Sequence, residues 1–488
     1  MRLALAAFVT GFGTLGLEIT ALRLLAPSFG SNLLVFANVV GVVLAGLAAG
    51  AALGGRWADR CADRRCAGGL MLGAGTLVVL LPTLAAPFLR AARGALASGS
   101  ASLFFWSLAA VTLLVLPPTL LLGAVAPFLV RLRVRRIEEA GRVSGSLSAM
   151  GTAGSLLGTF VPTLLTIPFL GTSATFQILG VALILGSTLL IGRGAALVLA
   201  LPLGLLAAQR KRAAKPGLLE ERESAYQYLR VEERADGRRV LLADEGLSVQ
   251  SSWRTGDRLS GTAYDAFLLL DAARDGGIRT LLDLGLAGGT IVRDFRVQRP
   301  DVAITGVEID PAVLELARRH FGLDGKNLSA VEEDARVFLG RAGDRYDAVA
   351  VDVFRGPRVP FHCATREFLA LVRKRLVPGG AVMMNVAALP DGDRALTGLL
   401  NTAASVFGEV WLWRPAGSRS RFVVASDAVG LRDRIAQNPV TEDLAELRRE
   451  FVEELRPVSF DPAGPVYTDD RSPLDLYAGL LLVRSLAD

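Results

Sequence analysis

Cysteine and histidine are nearly absent: the 488 residues contain three of the first and two of the second. Cys61, Cys66 and Cys363 are too few, and odd in number, for a disulfide framework, which suits a reducing compartment. Cys61 and Cys66 stand in a basic loop with no histidine beside them, and His320 and His362 lie far along the chain, so no metal is expected. Acidic residues are scarce in one half only. Residues 1–208 carry 14 arginines against five carboxylates, leaving 39 basic and 42 acidic residues for the rest. The positive excess therefore sits in loops between apolar runs, which argues against a nucleic-acid partner and for a lipid bilayer.

What is abundant is apolar sequence. At 51% hydrophobic residues and a mean hydropathy of +0.43, the chain is too apolar for an ordinary soluble enzyme and long enough for two domains. About 20 apolar residues cross a bilayer. Six such runs occur, near 3–27, 33–55, 68–90, 101–130, 144–168 and 172–192. A signal peptide accounts for the first alone, and no small-residue cleavage site follows it, so it is expected to be retained. Arg56, Arg60, Arg64 and Arg65 follow the second run, and Arg131, Arg133, Arg135, Arg136 and Arg142 follow the fourth; only Arg90 and Arg93 mark the opposite side. The positive-inside rule then puts the N-terminus and the C-terminal domain in the cytoplasm, with an apolar stretch at 194–208 read as interfacial or re-entrant. Small residues at Gly41, Ala45, Gly46, Ala49, Gly50 and Gly54 suit close helix packing, with a transport path as the other reading. Glu18 and Arg23 are an intramembrane pair or, alternatively, Arg23 snorkels to the surface.

The expected domains are a multi-pass membrane region at 1–208, a linker at 209–222, a small β-layer at 223–278 and a Rossmann-like domain at 279–488. In the β-layer, Tyr226–Glu233 and Arg239–Ala243 flank Asp236-Gly237, a hairpin signal. From residue 279, apolar runs alternate with helical patterns, predicting a doubly wound sheet with strands at 279–284, 303–308, 328–332, 347–352 and 381–386. A late pair at 409–413 and 420–425 adds a terminal antiparallel hairpin, as in SAM-dependent methyltransferase-type folds.

The first of these strands ends in Asp283-Leu-Gly285-Leu-Ala-Gly288-Gly289, where a glycine turn lets backbone approach a ligand closely. Val307-Glu308-Ile309-Asp310 follows after about twenty residues, with Glu308 placed to accept both ribose hydroxyls. Asp310-Pro311 opens the next helix as N-cap and first residue. Asp334-Ala335-Arg336 ends the third strand, where a carboxylate faces the adenine amino group in SAM-type sites. The ordered set, closed by Asp352 at the fourth strand's tip, favours an adenosyl-sulfonium pocket over a dinucleotide pocket.

With these motifs the chain resembles the spermidine synthase (polyamine aminopropyltransferase) family, in particular its bacterial members with an N-terminal multi-spanning region. The resemblance covers about 220–425, through Glu223-Ser224-Ala-Tyr226-Gln227, Gln250, Tyr264, the glycine turn, Glu308, Asp334-Ala335-Arg336 and Tyr346–Asp352. It implies Gln227 and Gln250 at the nucleoside and amine, Tyr264 at the amine channel, Asp352 as the catalytic carboxylate, and Asp283, Gly285, Gly288, Gly289, Glu308, Asp334 and Ala335 around the cofactor. It further implies decarboxylated S-adenosylmethionine or S-adenosylmethionine, a small amine or membrane-associated acceptor, and a bacterial inner-membrane location; a homodimer stays open.

Two departures matter. The resembling synthases carry an acid within the glycine turn and another three residues after the catalytic one; here those positions are Ala287 and Arg355. A dication is then a doubtful acceptor, Arg355 or Arg358 is expected to meet an anionic part of the substrate, and His362 is either a neutral base beside Asp352 or a loop histidine held by backbone. Three functions remain open: aminopropyl or related alkyl transfer, methyl transfer from intact SAM, and a transporter or sensor that binds an adenosyl nucleotide without turnover. Tyr467-Thr-Asp469-Asp470-Arg-Ser-Pro473 resembles a motif of the membrane-fused members and has no role readable from the residues.

Overall fold

The computed structural model describes residues 1–29, 33–97, 103–192, 217–224, 226–243, 248–341, 343–354, 359–386, 394–416, 418 and 420–474. They form two compact units, one of N-terminal helices together with Glu223–Tyr226, the other holding both β-sheets and their helices.

The first unit contains α1 (Arg2–Phe29), α2 (Leu33–Arg60), α3 (Arg64–Ala97), α4 (Leu103–Leu114), α5 (Leu116–Arg133), α6 (Ala140–Val161), α7 (Ile167–Leu170) and α8 (Thr172–Ile191). Six of its helices are long and apolar enough to cross a membrane, one for each expected run. The fourth run is broken at Val115, because Pro117 and Pro118 occupy the first turn of α5, where their missing N–H donors cost least. Small residues let the helices approach: a Cβ on Gly50 would lie 2.1 Å from the Leu120 carbonyl oxygen, and one on Gly154 1.9 Å from that of Phe8. Gly46, Gly50 and Gly54 of α2 thus face α5 as a packing surface, whereas a Cβ on Gly41 would meet nothing within 4 Å.

Arg23 has a different partner from the one expected. Its Nε lies 3.2 Å from Glu223 Oε1, while its Nη1 and Nη2 donate to the carbonyls of Tyr226 (2.8 Å) and Ser224 (2.7 Å). The Thr172 amide donates to Glu223 Oε2 at 2.7 Å, so one carboxylate both pairs with α1 and caps α8. The Glu18–Arg23 pairing is therefore replaced by a contact 200 residues away in sequence. The apolar stretch 194–208 lies outside the described residues.

The second unit begins with an antiparallel sheet ordered β1 (Leu218–Glu223), β2 (Tyr228–Glu233), β3 (Arg239–Ala243), β4 (Ser248–Trp253). It has four strands where the sequence showed two, and β1 starts inside the expected linker. Leu229, Val231, Leu241 and Ala243 alternate onto one face and pack against Ala312, Val313, Leu316 and Phe321 of α10 (Pro311–Phe321).

The larger sheet comprises β5 (Thr280–Leu284), β6 (Ala303–Glu308), β7 (Leu328–Glu332), β8 (Tyr346–Val351), β9 (Leu376–Asn385), β10 (Glu409–Trp413), β11 (Phe422–Ser426) and β12 (Arg456–Pro457). Its order is β12-β10-β11-β9-β8-β5-β6-β7, with β5 to β9 parallel and the rest antiparallel. Helices α9 (Thr290–Gln298), α10, α11 (Ala335–Gly340), α12 (Arg366–Arg375) and α13 (Arg394–Ala404) alternate with the strands, and α14 (Leu431–Gln437) and α15 (Ala445–Glu454) follow. Leu281 to Leu284 and Ala348 to Val351 are fully buried, as strands covered on both faces must be. The chain order reverses between β5 and β8, opening a crevice at their C-terminal ends.

Candidate active site at the β5–β8 switch point

The crevice is built from the tips of adjacent strands. At the end of β5 the chain turns through Gly285 at φ 96°, where a Cβ would sit 2.3 Å from the carbonyl oxygen of Asp352. Only glycine meets both demands. The amides of Gly285 and Leu286 donate to Val307 at 2.9 and 3.1 Å, and Gly288 donates to Ser251 Oγ at 2.8 Å, fixing the turn to β6 and β4. Gly289, also left-handed at φ 79°, then caps α9.

Glu308 ends β6 almost fully buried and accepts the amides of Ala287 (2.9 Å) and Asp310 (3.0 Å). Burial pushes its carboxyl up to about 7, although those amides work the other way. Asp310 caps α10 through the Ala312 amide at 3.0 Å, with Pro311 first in the helix, as the sequence predicts.

Asp352 follows β8. Its amide donates to the Leu284 carbonyl at 2.8 Å, and Asn385 Nδ2, at the end of β9, donates to its Oδ1 at 2.8 Å. Burial raises this carboxyl to about 7 against the effect of Asn385. Asp283, fully buried on β5, has both carboxylate oxygens without a hydrogen-bond partner among the described residues. Burial raises its pKa well above the usual range, and the charges of Asp352 and Glu308 add to the rise. Three carboxyl groups thus converge where water cannot solvate them, a setting that favours a cation. Tyr264 closes one side: its hydroxyl donates to the carbonyls of Val249 (3.0 Å) and Gln250 (3.2 Å), and burial together with the Asp352 charge keeps it protonated. Gln250 Nε2 donates to Gln227 Oε1 at 2.8 Å, joining two of the expected substrate residues.

Asp334 caps α11, its Oδ1 accepting Arg336 and Val337 amides at 2.8 and 3.0 Å, with Ala335 buried behind it. The His362 ring nitrogen lies 3.9 Å from Asp334 Oδ2, the carboxylate expected at adenine. Residues 359–365 carry it there as they lead into α12. Arg355 and Arg358 lie outside the described residues.

Two participants were missed. Asn385 had a signal, a lone amide ending the apolar run Val382-Met383-Met384 on the strand beside β8. Ser251 had none, since only the register of β3 with β4 brings it to Gly288.

No family model matches the chain. It is 31% identical to a probable polyamine aminopropyl transferase of Bifidobacterium longum, over 56% of this chain and 64% of that protein. It is 30% identical to a polyamine aminopropyltransferase of Mycobacterium tuberculosis, over 58% and 60%. The chain is thus similar in sequence to polyamine aminopropyltransferases. It spans less than two thirds of the length of either protein. A crystal structure of a probable spermidine synthase from Corynebacterium glutamicum superimposes with a TM-score of 0.39 at 18% identity, covering 54% of this chain and 99% of that one.

Proposed function

We propose that the chain is a membrane-tethered transferase that moves an aminopropyl or related alkyl group from an adenosyl-sulfonium compound to an amine. The observation that carries this is Asp352: a buried carboxyl raised to about 7, held by Asn385 at a topological switch point, beside a glycine turn anchored to Glu308. The residues suit the cofactor. Glu308 would serve the ribose and Asp334 the adenine amino group, and Asp283, with both oxygens buried and unpartnered among the described residues, would meet the cationic end.

When bound, the sulfonium supplies an electrophilic methylene and a neutral thioether leaving group. With that group bound, Asp352 would take a proton from the acceptor ammonium and so free its lone pair to displace the thioether, which would leave with the carbon–sulfur electron pair. Tyr264 and the Gln227–Gln250 pair orient the amine in line, at about 3–3.5 Å from the carbon. The six apolar helices hold the enzyme in a bacterial inner membrane, where a membrane-associated amine is accessible.

Purified full-length protein given decarboxylated S-adenosylmethionine and a panel of amines is expected to release 5′-methylthioadenosine with an alkylated amine. Production of S-adenosylhomocysteine and a methylated product from intact S-adenosylmethionine would replace aminopropyl transfer by methyl transfer. Binding without any product would leave a sensor or transporter.

A further inference from the structure

The stretch after β12 is bound to the α/β unit far more firmly than a trailing segment requires. Tyr467 is almost fully buried: its amide donates to Thr402 Oγ1 at 2.8 Å, its carbonyl accepts the Arg366 amide at 2.8 Å, and its hydroxyl donates to the Arg394 carbonyl at 2.9 Å. A Cβ on Gly398 would lie 2.2 Å from that hydroxyl, so the ring has a seat only because residue 398 is glycine. Two residues on, Asp469 receives both arms of the Arg336 guanidinium, Nη1 on Oδ1 at 2.7 Å and Nη2 on Oδ2. Its Oδ1 also accepts the Thr365 hydroxyl at 2.8 Å, and its amide donates to Glu367 Oε2 at 3.1 Å.

Arg336 is the centre of this arrangement. Its amide holds Asp334 Oδ1, and its Nη1 also donates to the carbonyl of His362 at 2.7 Å. A bidentate arginine–carboxylate pair is directional and fixes the guanidinium plane. The backbone of residues 334–336 on one side and of 362–365 on the other are thereby held at a set separation, with Asp334 Oδ2 left facing the His362 ring. Among the described residues no carboxylate of 334–365 pairs with this guanidinium; its partner arrives from residue 469.

We propose that Asp469 is a positioning residue of the nucleoside site, acting through Arg336 to hold the Asp334 carboxylate and the His362 loop in the geometry that reads the adenine amino group. The inference rests on the proposed role of Asp334.

The test uses full-length protein in detergent and two probes, 5′-methylthioadenosine and 5′-methylthioinosine, which differ in presenting a 6-amino donor or a 6-oxo acceptor. Wild type is expected to prefer the adenine probe by at least about tenfold, since a carboxylate rewards the donor and repels the acceptor. Asp334→Asn abolishes most of that preference. Asp469→Ala, and the isosteric Asp469→Asn should Ala fail to fold, are expected to cut the preference about three- to tenfold, and Arg336→Gln combined with Asp469→Ala to cut it no further than either alone. Equal weakening of both probes, with the preference intact, would mean a structural strut and overturn the proposal. An Asp334→Asn variant with wild-type preference would remove the reading of Asp334 itself, and the role of Asp469 with it.

Discussion

Asn385 Nδ2 donates to Asp352 Oδ1 across 2.8 Å, tying the carboxylate at the tip of β8 to the tip of the neighbouring strand. That bond favours the charged form, and burial opposes it, leaving the carboxyl at about 7. Asp352→Asn is expected to lower kcat by about 10²–10⁴ while nucleoside binding persists. The acidic limb of the kcat/KM profile of the wild type should fall near pH 7. Asn385→Ala removes a donor to the charged form, so the limb moves to higher pH and activity at pH 7 drops. A limb that stays in place on Asn385→Ala would show that the titrating base is another group.

The residues that were legible are those whose placement is decided within a few positions. Glu308 ends an apolar strand and Asp310-Pro311 opens the following helix, so the strand-end carboxylate proposed for the ribose and the helix cap are written in one tetrapeptide. Asp334 is legible in the same way. The residues that were not legible act across the chain: Asn385 is 33 positions from Asp352, Asp469 is 133 from Arg336 and Glu223 is 200 from Arg23. Charge and burial decide those pairings, and neither is fixed until the strands have a register. Glu18 is the nearest carboxylate to Arg23 in sequence, and sequence proximity made it the natural partner. The fold instead delivers Glu223, which satisfies the arginine and the amide of Thr172 together.

Asp294, on the buried side of α9, makes a separate prediction about stability. It is fully buried near Asp265, whose carboxylate is already engaged by Ser260 and Gly261. Burial pushes its carboxyl up to about 8 in spite of Arg293. The folded state therefore keeps a proton that the unfolded chain releases near its ordinary value of 3.8, so this group costs stability progressively as pH rises from about 4 to about 8. Asp294→Asn should raise the melting temperature of the full-length protein at pH 8 by a gain of about 1–3 kcal/mol, shrinking toward zero near pH 4. Thermal melts at the two pH values decide it, and an equal shift at both would assign the gain to packing.

Gly285 combines φ 96° with a site for a Cβ only 2.3 Å from backbone oxygen, and that oxygen belongs to Asp352. Neither the turn nor the strand tip gives way without moving Asp352. Gly285→Ala is expected to destabilise by about 2–4 kcal/mol and to lose turnover and nucleoside binding together. Gly340→Ala is the control, since a Cβ there meets nothing within 4 Å. Calorimetry with 5′-methylthioadenosine on both variants separates a local effect from general sensitivity to alanine.

Within the helical unit, Ser224 and Arg64 fall at opposite ends of the bundle. Met1, Arg2, Arg64, Arg133, Leu189 and Leu190 line one cavity, so the N-terminus, the arginine-bearing ends of α3 and α5 and the last turn of α8 share an end. Thr172, the first residue of the 20-residue α8 and about 27 Å from Leu190, meets Glu223 at the other end, beside the last turns of α1. Six crossings followed by a return on the same side would put Ser224 with Arg64; the Arg23–Ser224 contact separates them by the length of a span. Single cysteines at positions 64 and 224, in a background with Cys61, Cys66 and Cys363 replaced by serine, are expected to react with a membrane-impermeant maleimide from opposite faces of sealed vesicles. Labelling of both from one face would require Glu223–Tyr226 to leave α1 and α8 in the bilayer, and Arg23→Ala would then leave the melting temperature unchanged.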